Sequence, residues 1–104
     1  MTKYHLKKRL EIIVEAPMLR TIADKLDRAR VPGYSVLPVI EGRGIDNSWS
    51  AQGQITDTTN MIVLLCIVDA SQADDVIDVV FAAIRDRIGF LTISDVYVVG
   101  PERF

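Results

Sequence analysis

Two apolar runs, Tyr34 to Ile40 and Met61 to Val68, are separated by a segment from Gly42 to Asn60 that is almost all Gly, Ser, Asn, Asp, Gln and Thr. Trp49 is the only large aromatic side chain in that segment. The first run carries the β-branched and large apolar side chains of a strand. The second does not alternate. A continuous apolar run bounded by polar segments is expected of a strand covered on both faces. Two strands flanking a long polar loop make an overgrown hairpin. Loops beyond about 12–15 residues without structure of their own are usually functional or disordered. In a chain of 104 residues this one constrains everything around it.

The remaining segments fall into order on either side. Met1 to Leu6 is polar and expected to be loose, with His5, the only histidine, inside it. Lys7 to Glu15 alternates: Leu10, Ile12 and Val14 share one face, and Arg9, Glu11, Ile13 and Glu15 the other. Pro17 suits the first turn of a helix. Leu19, Ile22, Ala23, Leu26 and Ala29 then recur at helical spacing as far as Arg30, before Val31-Pro32-Gly33 ends the helix. Pro38 cannot donate a ladder hydrogen bond, so the strand from Tyr34 belongs at a sheet edge or carries a bulge. After Val68, Ser71 with Asp74 resembles a helix-capping box. Ala73, Val76, Ile77, Val80, Ala83 and Ile84 form the next apolar stripe, and Gly89 is a candidate left-handed cap. Ile93 to Val99 is the last strand, stopped by Gly100-Pro101.

The order β-α-β, long loop, β-α-β predicts one domain over 1–104, an α+β ferredoxin-like βαββαβ sandwich with antiparallel sheet order 4-1-3-2. The strand with Pro38 then falls at an edge and Met61–Val68 inside. Helices cover only one face of such a sheet. A strand wanting cover on both faces predicts an oligomer.

Charge and chemistry exclude more than they assign. A net charge of −2 gives no electrostatic reason for nucleic acid or an anionic membrane as partner. The lone Cys66 allows no intrachain disulfide and reads as a buried small hydrophobe. No signal-like segment starts the chain, and the longest apolar run is far below the ~20 residues of a membrane span, so a cytoplasmic protein is expected. One histidine and one cysteine give no metal site. No base–nucleophile arrangement or phosphate-loop motif occurs, so no catalytic residue is assigned and a binding module remains. Asp74, Asp75 and Asp78 read as solvated acids at a helix start. Gly42-Arg43-Gly44 is the likeliest binding chemistry: glycines let backbone N–H groups approach an anion, and arginine forks onto phosphate oxygens. By itself the tripeptide is a weak signal and more often marks an ordinary turn.

The arrangement as a whole resembles a known family. Lys8-Arg9-Leu10-Glu11-Ile12-Ile13, Gly33-Tyr34-Ser35-Val36, Glu41-Gly42-Arg43-Gly44 and Gly89 opening the last loop are together similar to the PII signalling proteins. Within them the chain resembles most the PII-like branch of carboxysome-associated and bicarbonate-transport-regulating members, on Gly42-Arg43-Gly44 followed by Ser48, Ser50 and Gly53-Gln54. The resemblance implies a homotrimer of ferredoxin-like subunits, with adenine nucleotide in inter-subunit clefts and a flexible "T-loop" at about 42–60. Gly33, Tyr34 and Ser35 would sit near the adenine, with the Ser35 hydroxyl a base contact. Gly42, Arg43 and Gly44 would line the phosphate side, and Ile88 and Gly89 would open the "B-loop" of the same cleft. Arg103 would reach a neighbouring phosphate or lie in a frayed tail.

The departures shape the ligand. Leu91 and Thr92 stand where the family's B-loop has a second glycine and a lysine for terminal phosphates, which favours AMP or ADP over ATP. Bicarbonate is implied as a candidate second effector. The loop has no tyrosine at its tip for uridylylation. Asn47, Ser48, Trp49, Ser50 and Gln52 are the candidate partner-binding residues, with Trp49 either an interface anchor or folded back on its own subunit. The implied partner is a transporter or a protein of carbon or nitrogen metabolism. Other readings are a copper-tolerance-type trimer, which would want more His or Cys ligands, and an ACT-like module, which would have a short second hairpin. RNA binding of the RRM kind would need exposed aromatics on strands Lys7–Glu15 and Met61–Val68.

Overall fold

The computed structural model describes residues 2–43, 48–50 and 60–100, with the backbone alone for 43 and 48–50. The elements are β1 (Tyr4–Glu15), a 3-10 turn (Ala16–Met18), α1 (Leu19–Arg28), β2 (Tyr34–Pro38), β3 (Glu41–Arg43), β4 (Ser48–Ser50), β5 (Met61–Val68), α2 (Ala70–Ile84) and β6 (Gly89–Val99). The main sheet runs β2-β5-β1-β6, every neighbouring pair antiparallel. Counting the four main strands in chain order, this is the 4-1-3-2 arrangement expected from the sequence. Pro38 lies on edge strand β2, where its missing N–H breaks no ladder on the outer side.

Alternation on β1 and β5 builds the core. Leu10, Ile12 and Val14 from β1 and Leu64, Cys66 and Val68 from β5 pack with Ile22 and Leu26 of α1 and Ala73, Val76, Val80 and Ile84 of α2. Each large aliphatic side chain buried this way contributes about 1.5–3 kcal/mol. Both helices lie on this one face. The opposite face carries Ile13, Val63, Leu65 and Ile67, which are only half-buried, and Leu37 and Phe90, each 45% exposed. The two helices lie on the other face, so no helix covers Ile13, Val63, Leu65, Ile67 or Leu37.

Five sequence expectations change. Tyr4 to Leu6 is not loose: β1 continues to Tyr4 by pairing with β6 from Lys7↔Val96 to Tyr4↔Val99, a long-range contact without a local signal. The loop has structure of its own, because Glu41, Gly42 and Arg43 pair with Ser50, Trp49 and Ser48. Helix α2 starts at Ala70, not after a capping box at Ser71. Asp69 occupies the N-cap position, but its carboxylate is drawn to Lys7 Nζ across the sheet end and caps nothing. Asp74 and Asp75 therefore sit a turn beyond the helix start. Gly89 is not a helix cap; it is the first residue of β6, which starts earlier than Ile93.

The end of α1 is closed by two devices. Val31 N–H donates to Leu26 O at 3.3 Å and Arg30 N–H to Asp27 O at 3.1 Å, the Schellman pattern, with Arg30 at φ 59 in the left-handed position usually given to glycine. Gln72 of α2 then donates from Nε2 to the carbonyls of Ala29 (2.8 Å) and Arg30 (3.3 Å). Both fix the segment that leads into Gly33.

Candidate functional site

Strand β2 is shorter than β5, and the notch left beside its first residues is a cleft of about 400 Å³. Gly33, Tyr34 and Ser35 line it together with Arg9, Leu65, Cys66 and Ile67. Antiparallel register places these residues. Ser35 stands opposite Leu65, and Arg9 opposite Ile67, on the face away from the helices. Tyr34 is half-buried against the core. A Cβ added at Gly33 would meet no atom within 4 Å, so this wall of the cleft is open space. The cleft therefore offers an apolar floor, a hydroxyl and one guanidinium, whose Nη2 also pairs with Glu11 Oε2 at 2.9 Å. Such a mix suits a flat, largely apolar ligand with a few polar groups on its edge. Burial pushes the Cys66 thiol up from 9.0 to about 11, so it is protonated at neutral pH.

The sequence singled out Gly33, Tyr34 and Ser35 but not Arg9, Leu65, Cys66 or Ile67 as their neighbours. Alternation had placed Arg9 on the outer face of β1. Which β5 residues lie beside it depends on strand register, which no local pattern fixes.

The other expected site residues lie elsewhere. Gly42 and Arg43 are in β3, in extended ladder backbone and not in a turn cradling an anion. Trp49 pairs with Gly42 in β4 between Ser48 and Ser50. Gly44, Asn47, Gln52 and Arg103 fall outside the described residues. Ile88, 45% exposed, ends the turn after α2, and Gly89 already belongs to the sheet; Leu91 and Thr92 are strand residues. Gly89 pairs with Val14, Val14 with Ile62 and Ile62 with Pro38, so Gly89 sits at the sheet edge opposite β2. Three strand spacings, about 14 Å, separate the two edges. A second cavity of about 300 Å³ lies on that β6 edge, between α2 and β6, walled by Ile77, Phe81, Ile84, Phe90, Leu91 and Ile93 and bordered by Arg85 and Gly89. Among the described residues no group of three or more His, Cys, Asp or Glu side chains is placed to hold a metal ion, and no helix is long and apolar enough to cross a membrane.

A four-stranded antiparallel sheet of this order, backed by two helices and carrying its long insertion between the second and third main strands, defines a ferredoxin-like α+β protein. The chain belongs to the family described as nitrogen regulatory protein P-II, whose model matches residues 7–103. Solved structures agree. CPII, a nitrogen regulatory PII-like protein from Thiomonas intermedia K12, bound to ADP, AMP and bicarbonate, superposes with a TM-score of 0.88 at 24% identity, over 98% of this chain and 96% of that one. CPII bound to ADP and bicarbonate gives 0.83 at 25% identity over 98% and 97%. The same protein bound to ADP, AMP and acetate gives 0.77 at 22% over 98% and 97%. No curated protein sequence matches the chain.

Proposed function

We propose that this chain is one PII-like domain and a non-enzymatic signalling protein: a cytoplasmic homotrimer that binds an adenine nucleotide between subunits and acts on a target protein through the loop at 42–60. The observation that carries the reading is the cleft itself. Gly33, Tyr34 and Ser35, the residues that the family resemblance assigns to the adenine, line one open notch with an apolar floor. The three CPII structures, similar over 96–97% of their length, all hold ADP, two of them with AMP and two with bicarbonate. AMP or ADP is the preferred ligand here, because Leu91 and Thr92 replace the family's terminal-phosphate lysine region.

The inter-subunit placement has a geometric argument. Gly33–Ser35 and Ile88–Gly89 lie at opposite sheet edges and are offset along the strands, because Gly89 is level with Pro38 and not with Ser35, so roughly 18 Å separates them. The short route to one site joins the β2 edge of one subunit with the β6 edge of the next. The half-buried Ile13, Val63, Leu65 and Ile67 on the helix-free face give the association its apolar surface. Gly42, Arg43 and Gly44 supply the phosphate side, Arg103 a contact from the chain end, and Asn47, Ser48, Trp49, Ser50 and Gln52 the target contact. The target is a transporter or a protein of inorganic-carbon or nitrogen metabolism, in line with the bicarbonate-transport-regulating branch.

Isothermal titration with AMP, ADP, ATP and cyclic AMP, each with and without bicarbonate, tests this. AMP or ADP should bind most tightly, and Arg43→Ala should weaken binding by about tenfold or more, as the loss of a charge-assisted phosphate contact does. No heat from any nucleotide with a trimeric protein would remove the sensing function and leave the fold.

A further inference from the structure

Among the described residues that line the cleft beside β2, Arg9 is the single charged one. Strand register fixes where it stands. Ser35 and Glu11 are both level with Leu65, and Arg9 is level with Ile67. Leu65 and Ile67 thus form an apolar strip on β5, with Ser35 on one side and Arg9 on the other. Two strand spacings and two residues separate Ser35 from Arg9, roughly 12 Å between Cα atoms. Arg9 Nη2 donates to Glu11 Oε2 at 2.9 Å, which draws the guanidinium from its own level toward the Leu65–Ser35 row. Both partners are partly exposed, so the ion pair itself adds little stability. What it does is restrict the fork, whose further N–H donors remain for a ligand.

A guanidinium in a nucleotide cleft is ordinarily a phosphate ligand. The level of Arg9 opposes that role here. The loop leaves the sheet past Pro38, whose partner on β5 is Ile62. Arg9 is level with Ile67, five residues further from the loop root, about 17 Å along the strand. Phosphates directed at Gly42–Gly44 therefore run away from Arg9. A base lying at Gly33–Ser35 falls at its end of the cleft.

We propose that Arg9 reads the purine: its guanidinium, braced by Glu11, donates to a ring nitrogen of a base lying flat on Leu65 and Ile67, across from the Ser35 hydroxyl. This rests on the nucleotide reading above and adds a specificity residue to that site. The chemistry divides between the two polar groups. Arginine only donates, so it matches the ring-nitrogen acceptors of a purine and cannot receive the exocyclic amine. The Ser35 hydroxyl also accepts, and can take the amine on the other side. The apolar strip keeps water from one face of the base, which strengthens hydrogen bonds at its edge. A fork already tethered to Glu11 loses less freedom on binding than an untethered one.

Base analogues at constant phosphate test it. Wild type and Arg9→Met are titrated with the tighter-binding of AMP and ADP, and with the forms of that nucleotide in which N1, N3 or N7 of the base is replaced by C–H. Methionine keeps an apolar stem on the sheet and removes the donors, and circular dichroism confirms the fold. Wild type should bind one of the three analogues about tenfold more weakly than the parent nucleotide. Arg9→Met should bind the parent about tenfold more weakly and no longer distinguish it from that analogue. Weakening of the parent and all three analogues by one common factor would overturn the base contact and make Arg9 a phosphate ligand. Unchanged affinity in Arg9→Met would remove Arg9 from the site and leave the nucleotide reading intact. A wild-type protein that binds neither AMP nor ADP would instead overturn the nucleotide reading and, with it, this contact.

Discussion

Replacing Gly89 by alanine should destabilise the protein, although the position lies at a strand's first residue and outside the packed core. Gly89 has φ 145, a conformation that L side chains rarely adopt. An added Cβ would collide with the carbonyl oxygen of Ile13 and come within 3.2 Å of the Ile13 carbonyl carbon and of Val14 Cα. These are backbone atoms of β1, the central strand, and have no rotamer by which to retreat. Holding a non-glycine residue at such a φ costs on the order of 1–3 kcal/mol. Releasing the Val14↔Gly89 pairing to avoid the collision forfeits about 0.5–1.5 kcal/mol per hydrogen bond. Whichever route the chain takes, the loss is roughly 1–3 kcal/mol, a sizeable share of a typical stability of about 5–15 kcal/mol. Urea denaturation at one protomer concentration measures it, because oligomer stability depends on concentration. Gly33→Ala is the control: its Cβ meets nothing within 4 Å, so stability should hold within about 0.5 kcal/mol while nucleotide affinity falls as the methyl enters the cleft. A Gly89→Ala protein as stable as the wild type would refute the steric argument.

Two further outcomes follow from the same geometry. Gln72→Ala should cost about 1 kcal/mol in denaturant unfolding, because its amide satisfies the Ala29 and Arg30 carbonyls at the end of α1; an unchanged midpoint would show that water replaces it freely. The buried Cys66 thiol, raised to about 11 from 9.0, binds its proton more tightly folded than unfolded. Its contribution is therefore complete below pH 9 and is lost as pH rises from 9 to 11, amounting to roughly 3 kcal/mol at most. Wild-type stability should fall relative to Cys66→Ala across that window, and a constant difference would contradict the shift.

Local pattern carried the reading wherever one face of an element is buried. Leu10, Ile12 and Val14 alternate because β1 has helices on one side only, and the α2 stripe from Ala73 to Ile84 repeats at helical spacing for the same reason. Pro38 marked the edge because a proline has no ladder donor. Pattern failed where partners come from far along the chain. Tyr4 to Leu6 is strand only because β6 lies beside it, and Glu41–Arg43 pairs with Ser48–Ser50 despite a loop-like composition. Ser71 looked like a cap by spacing alone, whereas the helix start was set by where β5 ends. At the cleft, Gly33–Ser35 was legible through family resemblance, and Arg9, Leu65, Cys66 and Ile67 were not, because register between strands remote in sequence decides which side chains meet. Gly89 was singled out for a ligand, and its φ and its contact with β1 now supply a backbone reason for glycine there.

The position of the loop relative to the cleft bears on how a signal could pass. β2 connects the cleft residues at its start to the loop root at its end through five residues, and only Val39 and Ile40 separate it from β3. Val39 N–H still donates to Met61 O at 3.0 Å, so the root remains tied to the sheet. Arg43 lies in the β3–β4 ladder, in register with Ser48. On the proposed reading, a nucleotide shifts the loop only if it binds more tightly to one loop arrangement than to the other. A phosphate held by Arg43 provides that difference when the ladder's geometry and the ligand's demand on Arg43 are not equally met in both arrangements. The ladder is then the two-state element, and moving it from 1:99 to 99:1 would take about 5.5 kcal/mol of differential affinity. A single charge-assisted hydrogen bond contributes only about 1.5–3 kcal/mol. Arg43 alone is therefore too weak to throw such a switch completely, and a full response requires further ligand contacts with the loop root or across the neighbouring subunit.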